Sequence, residues 1–240
     1  MLSSLSKLKT LRKPILRDEA YLSIKEGILA GEISPGERIS IGRLLKEVRF
    51  SPTPIREALL KLEQEGFVSR LPKGGFIVSQ FTERDIDEIL GIRSELERYA
   101  VGLAMEVIEK KDIQWLEMNV KKSERAIRKN GLGEVSRLNA EFHDYLNRLS
   151  NNLRLIATIN GLRDQICQYR SAILRVTGMA RISIDHHKKM IKAIKMKDKD
   201  LLQKLTQEHI LTGKEVILSE IAKGNISLSI RTKAEDGSKR

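Results

Sequence analysis

The sequence is poorest in cysteine and in long hydrophobic runs. Of its 240 residues only Cys167 is a cysteine, which excludes an internal disulfide and is typical of a cytosolic protein. No run of about 18 apolar residues is available to span a bilayer. The N-terminal stretch MLSSLSKLKTLRKP also lacks the apolar core of a signal peptide. These absences favour a soluble cytoplasmic protein with no membrane partner.

Positive charge, by contrast, is in excess. The chain carries 44 lysines and arginines against 32 aspartates and glutamates, which gives a net charge of +12 and a pI near 9.8. Such an excess makes an anionic partner plausible, whether nucleic acid, membrane surface or acidic ligand. Charge alone does not choose among these partners.

The region from 16 to 81 combines short helical patterns with turn signals and strand-like runs. Helical patterns at 17–31 and 41–50 precede a third in SPTPIREALLKLEQEGF, and ISPGERIS between the first two is expected to be a turn. The stretch FVSRLPKGGFIVSQF then alternates apolar and polar residues on either side of a Pro-Lys-Gly-Gly turn, which predicts a β-hairpin. Three helices followed by a hairpin predict a winged helix-turn-helix.

The third helix carries a cation where local stability does not explain one. Thr53 is the expected N-cap with the following proline at the first helical position, and Ile55, Leu59 and Leu62 form the buried face. Arg56 is then exposed at the N-terminal end, where the helix dipole disfavours positive charge. An ion pair with a nearby carboxylate is one explanation. The other is DNA, because this end of the second helix of a helix-turn-helix enters the major groove, where arginine meets guanine edges and phosphates.

From Thr82 onward almost the whole chain has helical periodicity. Thr82 and Asp85 resemble a capping box at the start of the first helix. The expected helices cover about 82–107, 112–129, 133–149, 152–176, 179–196 and 199–222. They predict an antiparallel helical bundle, so the fold class is mostly α. Residues 1–15 are expected to be a flexible arm, and 223–240 a disordered basic tail.

All four histidines belong to this second region. Asn139 and His143 are four residues apart in LNAEFHDYL and therefore share one helical face, while His187 and His209 belong to the last two helices. Neutral imidazole is the commonest transition-metal ligand, and facing helices of a bundle often assemble such sites. Taken singly, each histidine has the alternative of being a hydrogen-bonded core or surface residue. His186 and His187 are adjacent and cannot both face inward from one helix.

Residues 20–78 resemble the DNA-binding domain of the GntR family of bacterial transcription regulators. The motifs that carry the resemblance are ILAGEISPGERIS, SPTPIREALLKLEQEGFV and PKGGFIVS, in this order over roughly sixty residues. Two positions depart from the family pattern: Pro52 replaces a usual arginine, and Arg49 replaces the usual glycine of the turn between the helices. The resemblance implies that Ser51, Thr53 and Arg56 contact operator DNA, with Arg43, Arg70, Lys73 and Gly74 near it. Arg49 either occupies a strained turn or adds a cation near the DNA backbone, and it is counted with the candidate DNA-binding residues.

The second region resembles the all-helical FCD effector domain of the FadR subgroup of this family, beginning with IRSELERYA. This resemblance implies that Asn139, His143, His187 and His209 bind a divalent metal, with His186 left at the surface. Zinc and nickel are the first candidates and manganese is the third. Many relatives have aspartate where Asn139 stands. Arg93 resembles an arginine that faces the effector cavity and pairs with a carboxylate; the alternative is a surface ion pair with Glu97.

Together these patterns predict a homodimeric DNA-binding regulator, not an enzyme, with no catalytic residues. It is expected to bind a near-palindromic operator and to respond to a small carboxylate next to the metal. Two alternatives remain open at this point. One is a metal-dependent enzyme, for which Glu141 and Asp144 lie in the same helix as His143. The other is a regulator with a purely structural metal.

Overall fold

A computed structural model of the chain describes residues 15–30, 32–47, 51–166 and 173–226. They form two compact units, within 1–80 and within 81–240. The expected arm lies outside the described residues except for Ile15, and the expected tail is described only as far as residue 226. In the part of the chain that is described, no helix combines the length and the apolar character needed to cross a membrane.

The first unit has three helices and a small antiparallel sheet packed on one core. Buried side chains of α1 and α3, including Ile24, Ile55 and Leu59, meet Phe67 and Phe76 from the sheet side. The predicted winged arrangement of helices and hairpin is confirmed. The elements are α1 (Ile15–Ala30), β1 (Arg38–Ile39), α2 (Ile41–Glu47), α3 (Pro52–Gln64), β2 (Val68–Arg70) and β3 (Phe76–Val78).

A third strand joins the predicted hairpin. β1 pairs with β3, with Ile39 opposite Phe76, so the strand order is β1-β3-β2. The segment ISPGERIS was expected to be a turn, and its middle is one, since the Glu37 amide donates to the Ser34 carbonyl at 3.0 Å. The expectation missed the strand at Arg38–Ile39, because two residues are too few to show an alternating pattern and the strand is defined by its pairing with β3, far away in sequence.

Helix α3 starts earlier than predicted. Ser51 is the N-cap in an extended conformation (φ −77°, ψ 165°), and Pro52 is already helical. The expected N-cap at Thr53 is therefore wrong. Both prolines fit in the first turn because the backbone amides there have no partner within the helix, so the missing N–H groups cost nothing. Thr53 is left exposed within that first turn.

The turn between β2 and β3 depends on two glycines. Gly74 and Gly75 have φ of +89° and +84°, in the left-handed region that other residues rarely adopt. The Gly74 amide donates to the Leu71 carbonyl at 2.9 Å, and the Leu71 amide donates to the Gly75 carbonyl at 3.0 Å. Lys73 is exposed within this turn.

The described residues of the second unit form six helices, in agreement with the predicted helical domain. The capping box at the start of the first is confirmed: the Thr82 amide donates to Asp85 Oδ2 at 2.7 Å, and the Asp85 amide donates to Thr82 Oγ1 at 3.1 Å. The helices are α4 (Glu83–Ala104), α5 (Lys110–Arg128), α6 (Leu132–Leu149), α7 (Leu153–Gln165), α8 (Met179–Lys195) and α9 (Lys199–Ala222).

The expected single helix over 152–176 is wrong at its middle. Helix α7 ends at Gln165, and Ile166 leaves the helical conformation with φ −109°. The described chain resumes with a helical segment at 173–175. The apolar pattern runs across the break because Ile166 and Leu174 are both buried. The spacing of apolar residues in the sequence shows which residues are buried, and residues beyond the end of α7 are buried too. The spacing therefore did not show where the helix ends.

Candidate metal centre and DNA interface

Three histidines from three helices converge in the second unit. His143 of α6, His187 of α8 and His209 of α9 each direct Nε2 toward the same point. The distance from His143 Nε2 is 3.0 Å to His209 Nε2 and 3.4 Å to His187 Nε2. The ligand nitrogens of all three lie within 4.8 Å of one another. These are three of the four residues that the sequence assigned to a metal.

The spacing of these nitrogens fits a single metal ion. Two nitrogens bound about 2.0–2.1 Å from one ion, at right angles or at the tetrahedral angle, are about 2.8–3.4 Å apart. Both Nε2 distances recorded for His143 fall in this interval. Imidazole nitrogen is a good ligand for zinc and nickel alike. The triad could therefore hold a divalent transition metal.

Asn139, the fourth expected ligand, lies one helical turn before His143. Its Oδ1 accepts a hydrogen bond from Ser183 Oγ at 2.9 Å, and Ser183 in turn lies one turn before His187 on α8. Helices α6 and α8 thus contact each other at two successive turns, through Asn139 and Ser183 at one and through His143 and His187 at the next. A carbonyl oxygen has a second lone pair, so Asn139 remains able to bind a metal or a ligand.

An aromatic contact fixes the plane of one ring. Phe142 of α6 is fully buried and stacks on His187 with ring centroids 3.8 Å apart and planes 5° apart. This contact spans α6 and α8. It leaves the His187 ring little freedom to rotate away from the other two histidines.

The sequence offered Glu97 of α4 only as an ion-pair partner of Arg93 and did not indicate its contact with His143. Its carboxylate is only 1% exposed, and Oε1 accepts from Arg93 Nε at 2.9 Å and from Arg93 Nη2 at 2.5 Å. Oε2 lies 3.0 Å from His143 Nδ1. Since an ionised carboxylate only accepts hydrogen bonds, Nδ1 of His143 must carry the proton, which leaves the Nε2 lone pair facing the other histidines. The alternative of an ion pair between Arg93 and Glu97 is correct, but the pair is buried and was expected at the surface.

The charge state of Glu97 follows from its neighbours. Burial alone raises the pKa of this carboxyl, but the Arg93 guanidinium and then His143 outweigh burial and hold the pKa below its ordinary value. Glu97 is therefore ionised at neutral pH. Nothing in the sequence indicated its contact with His143, which is 46 residues further along.

His187 and His209 stay neutral for a different reason. Burial comes first and neighbouring histidines second in lowering the pKa of each well below the ordinary histidine value. Their Nδ1 atoms are buried without a hydrogen-bond partner among the described residues. Neutral imidazoles are what a metal ion requires.

His186 is less exposed than expected. It is half-buried, its ring centroid lies 5.6 Å from that of His209, and burial followed by Lys189 lowers its pKa. It also lines the cavity next to the triad. His186 was expected at the surface because its neighbour His187 faces inward.

Two histidines of the triad, His143 and His209, line a cavity whose volume, together with the solvent at its mouth, is about 770 Å³. The polar residues of the wall near the triad are Arg93, Asn139, His143, Ser183, His186 and His209. The predicted effector residue Arg93 and three of the four predicted metal ligands, Asn139, His143 and His209, thus line one cavity.

The first unit presents the residues assigned to DNA on its surface. Ser51, Thr53 and Arg56 are exposed at the N-terminal end of α3, and Arg56 has no ion-pair partner among the residues that the structure describes. That finding removes the carboxylate explanation for Arg56 within this range. Arg56, Arg70 and Gly74 line one open depression between α3 and the β2–β3 turn.

The other assigned residues differ in their contacts. Arg43 forms an ion pair with Glu37 at 2.6 Å, and Arg70 one with Glu63 at 3.0 Å, all at or near the surface. Lys73 is exposed. Arg49 lies outside the described residues.

Comparison with known proteins identifies both units. Residues 16–78 match the profile of bacterial regulatory proteins of the gntR family, and residues 88–212 match the FCD domain. The chain belongs to the GntR family, with a C-terminal FCD domain.

Individual relatives agree with this assignment. Bacillus subtilis (strain 168) YdhC, named as an uncharacterized HTH-type transcriptional regulator, is 33% identical over 195 residues, which cover 80% of this chain and 84% of YdhC. The HTH-type transcriptional regulator McbR of Escherichia coli (strain K12) is 29% identical over 179 residues, covering 74% and 81% of the two chains. The solved structure of E. coli McbR/YncC superposes with a TM-score of 0.72 at 26% identity, covering 86% and 98%. The chain is thus a DNA-binding transcription regulator, and the enzyme alternative is set aside because these relatives are regulators.

Replacing Glu97 with glutamine should weaken metal binding. Glutamine keeps the shape but no longer balances Arg93 or demands the proton on His143 Nδ1, and loss of such an outer contact typically costs about 10–100-fold in metal affinity. Competition with a chromogenic chelator measures the change. Glu88→Gln on the same helix, at an exposed position paired with Arg84, is the matched control. Equal metal affinity for Glu97→Gln and Glu88→Gln would contradict this role.

The metal-free protein should lose stability as the pH falls below about 6.5, the ordinary histidine pKa. His187 and His209 have lowered pKa values in the folded state, so below that pH the unfolded chain binds more protons than the folded one. The slope is at most about 1.4 kcal/mol per pH unit for each histidine. Urea unfolding at pH 7.5, 6.5 and 5.5 with chelator present measures it. His187→Leu should show a shallower fall; a fall as steep as in the unchanged protein would refute the assignment.

Proposed function

We propose that this regulator is a cytoplasmic homodimer whose binding to a near-palindromic operator is modulated by a small carboxylate held next to a divalent metal ion. The observation that supports it most directly is that the ligand nitrogens of three histidines lie within 4.8 Å of one another, and that two of these histidines, His143 and His209, line one cavity of the FCD domain together with Arg93. The proposed metal ligands are Asn139, His143, His187 and His209, with zinc or nickel first and manganese third.

A charge count supports an anionic effector. Arg93 and Glu97 neutralise each other, and imidazoles that bind a metal, like the Asn139 amide, contribute no charge. A bound divalent ion would thus bring two uncompensated positive charges into a largely buried site, which is costly. A carboxylate would offset one of these two charges.

Arg93 is the proposed contact for the carboxylate. A guanidinium has five N–H donors, of which Nε–H and one on Nη2 are used by Glu97. Arg93 also lines the cavity, so its remaining donors are available on the same wall as the metal site. Arginine and carboxylate pair with matched geometry and strong hydrogen bonds.

The dimer is proposed from the requirement for two half-sites on operator DNA. An exposed apolar stripe on α4 is consistent with it: Ile92 and Tyr99 are each 52% exposed and, seven residues apart, share a face. In each protomer, the exposed N-terminal end of α3 would enter the major groove and the β2–β3 turn with Lys73 would approach the backbone.

Effector control requires a difference in affinity between two arrangements of the dimer. A ligand that bound both arrangements equally would leave operator binding unchanged. The proposed coupling is that the carboxylate favours one spacing of the two DNA-binding domains.

The test begins with selection of binding sites from a random DNA pool at near-physiological salt, because phosphate attraction dominates at low salt. On the selected operator, at least one member of a broad carboxylate panel should change the affinity of metal-loaded protein measured by fluorescence anisotropy. The same compound should have no effect after chelation or in His143→Ala. If no member changes affinity in either direction, effector control is wrong; if chelation alone unfolds the protein, the metal is structural.

Arg56→Ala should weaken operator binding without changing stability, because Arg56 is exposed and makes no ion pair among the described residues. A guanine contact would cost about 1–3 kcal/mol on the operator and less on random DNA, whereas a phosphate contact would cost the same on both. Arg84→Ala, at an exposed position in the second unit, is the matched control. Unchanged operator affinity in Arg56→Ala would remove α3 from the interface.

A further inference from the structure

The cavity wall changes character away from the histidines. Next to the triad it is polar, but the rest is built from aliphatic side chains of α4, α9 and the segment that follows α7. The residues that form this apolar wall are Ile86, Leu90, Ile166, Ile173, Leu174 and Ile210. Five of the six are buried, and Ile173 is half-buried.

The charged groups on the described part of the wall are already neutralised. Arg93 is paired with Glu97, and Arg163 is paired with Asp144 and, at 3.3 Å, with Asp164. Arg163 is therefore poorly suited to hold a second carboxylate. Among the described residues, a ligand that extends from the triad onto the apolar wall meets only the Thr212 hydroxyl and the already paired Arg163 as further polar groups.

We infer that the effector is an amphipathic monocarboxylate, with its carboxylate at the metal end and an alkyl or aryl body of several carbons on the apolar wall. This inference rests on the proposed function and names the class of ligand. Each methylene buried there should tighten binding about fourfold, as expected for transfer of a CH₂ group out of water. A polyhydroxylated acid of the same length would have to leave most of its hydroxyls without partners among the described residues of this wall.

Gly213 of α9 offers a way to fill the cavity without disturbing the fold. It lines the cavity, and a Cβ added there would lie 3.8 Å from Ile173 Cδ1, an ordinary van der Waals contact. Leucine is a better helix former than glycine, so Gly213→Leu should not weaken α9. The added side chain would occupy space that the apolar body needs. Gly213 lies one turn after His209 in the same helix, so unchanged zinc affinity in Gly213→Leu is the control for an intact triad.

The experiment is calorimetric titration of full-length, zinc-loaded protein with acetate, butyrate, hexanoate and octanoate. Affinity should rise by about fifteenfold for each added pair of methylenes until the cavity is full. Gluconate should bind more weakly than hexanoate, which has the same number of carbons. In Gly213→Leu the dependence on chain length should disappear while acetate binding is kept. Gly161→Leu on α7, at an exposed position with no atom near the added Cβ, should behave like the unchanged protein.

Two outcomes would overturn the inference while leaving the proposed function in place. One is acetate binding with no gain from longer chains; the other is tighter binding of gluconate than of hexanoate. Gains from longer chains that persist in Gly213→Leu would place the apolar body elsewhere and would also overturn it. If no carboxylate of either kind binds or changes operator affinity, the proposed effector control fails together with the inference.

Discussion

The site depends on one buried carboxylate. A carboxylate at 1% exposure stays ionised only with close compensation, and Glu97 has it from Arg93 on its own helix and from His143 on α6. This arrangement ties α4 to α6, holds Arg93 at the cavity wall and fixes the proton of His143 on Nδ1. The Nε2 lone pair then faces His187 and His209. Removing one partner would leave a buried charge without compensation. The positions of Arg93, Glu97 and His143 therefore depend on one another.

Burial of the histidines complements this charged pair. His187 and His209 are held neutral by desolvation, whereas His143 is oriented by a full negative charge. The result is a set of neutral nitrogen donors around one point, beside an ion pair that cancels itself. Such a site favours the binding of a cation. Once a divalent cation is bound, its positive charge favours the binding of an anion. The proposed response of this regulator to a carboxylate follows from that order of charges.

Much of the fold could be predicted from the sequence because it depends on local patterns. Three such features are present in the structure: the buried face of α3, the hairpin and the Thr82 capping box. In each of them the residues that interact are close together in the sequence. What local patterns could not show was non-local. β1 exists only through its pairing with β3, and the apolar pattern continued past the end of α7 because burial continued there.

The site divides in the same way. The four-residue spacing of Asn139 and His143 indicated a shared face, and the resemblance to the FCD domain selected His187 and His209, which the structure brings within reach of His143. The contact of Glu97 with His143 was missed because the burial of Glu97 and its contact with α6 depend on packing.

The most direct test of the metal centre is X-ray absorption at the zinc edge of protein loaded with one equivalent of zinc. The account predicts three imidazoles bound to the metal; a shell with one imidazole or none would contradict it.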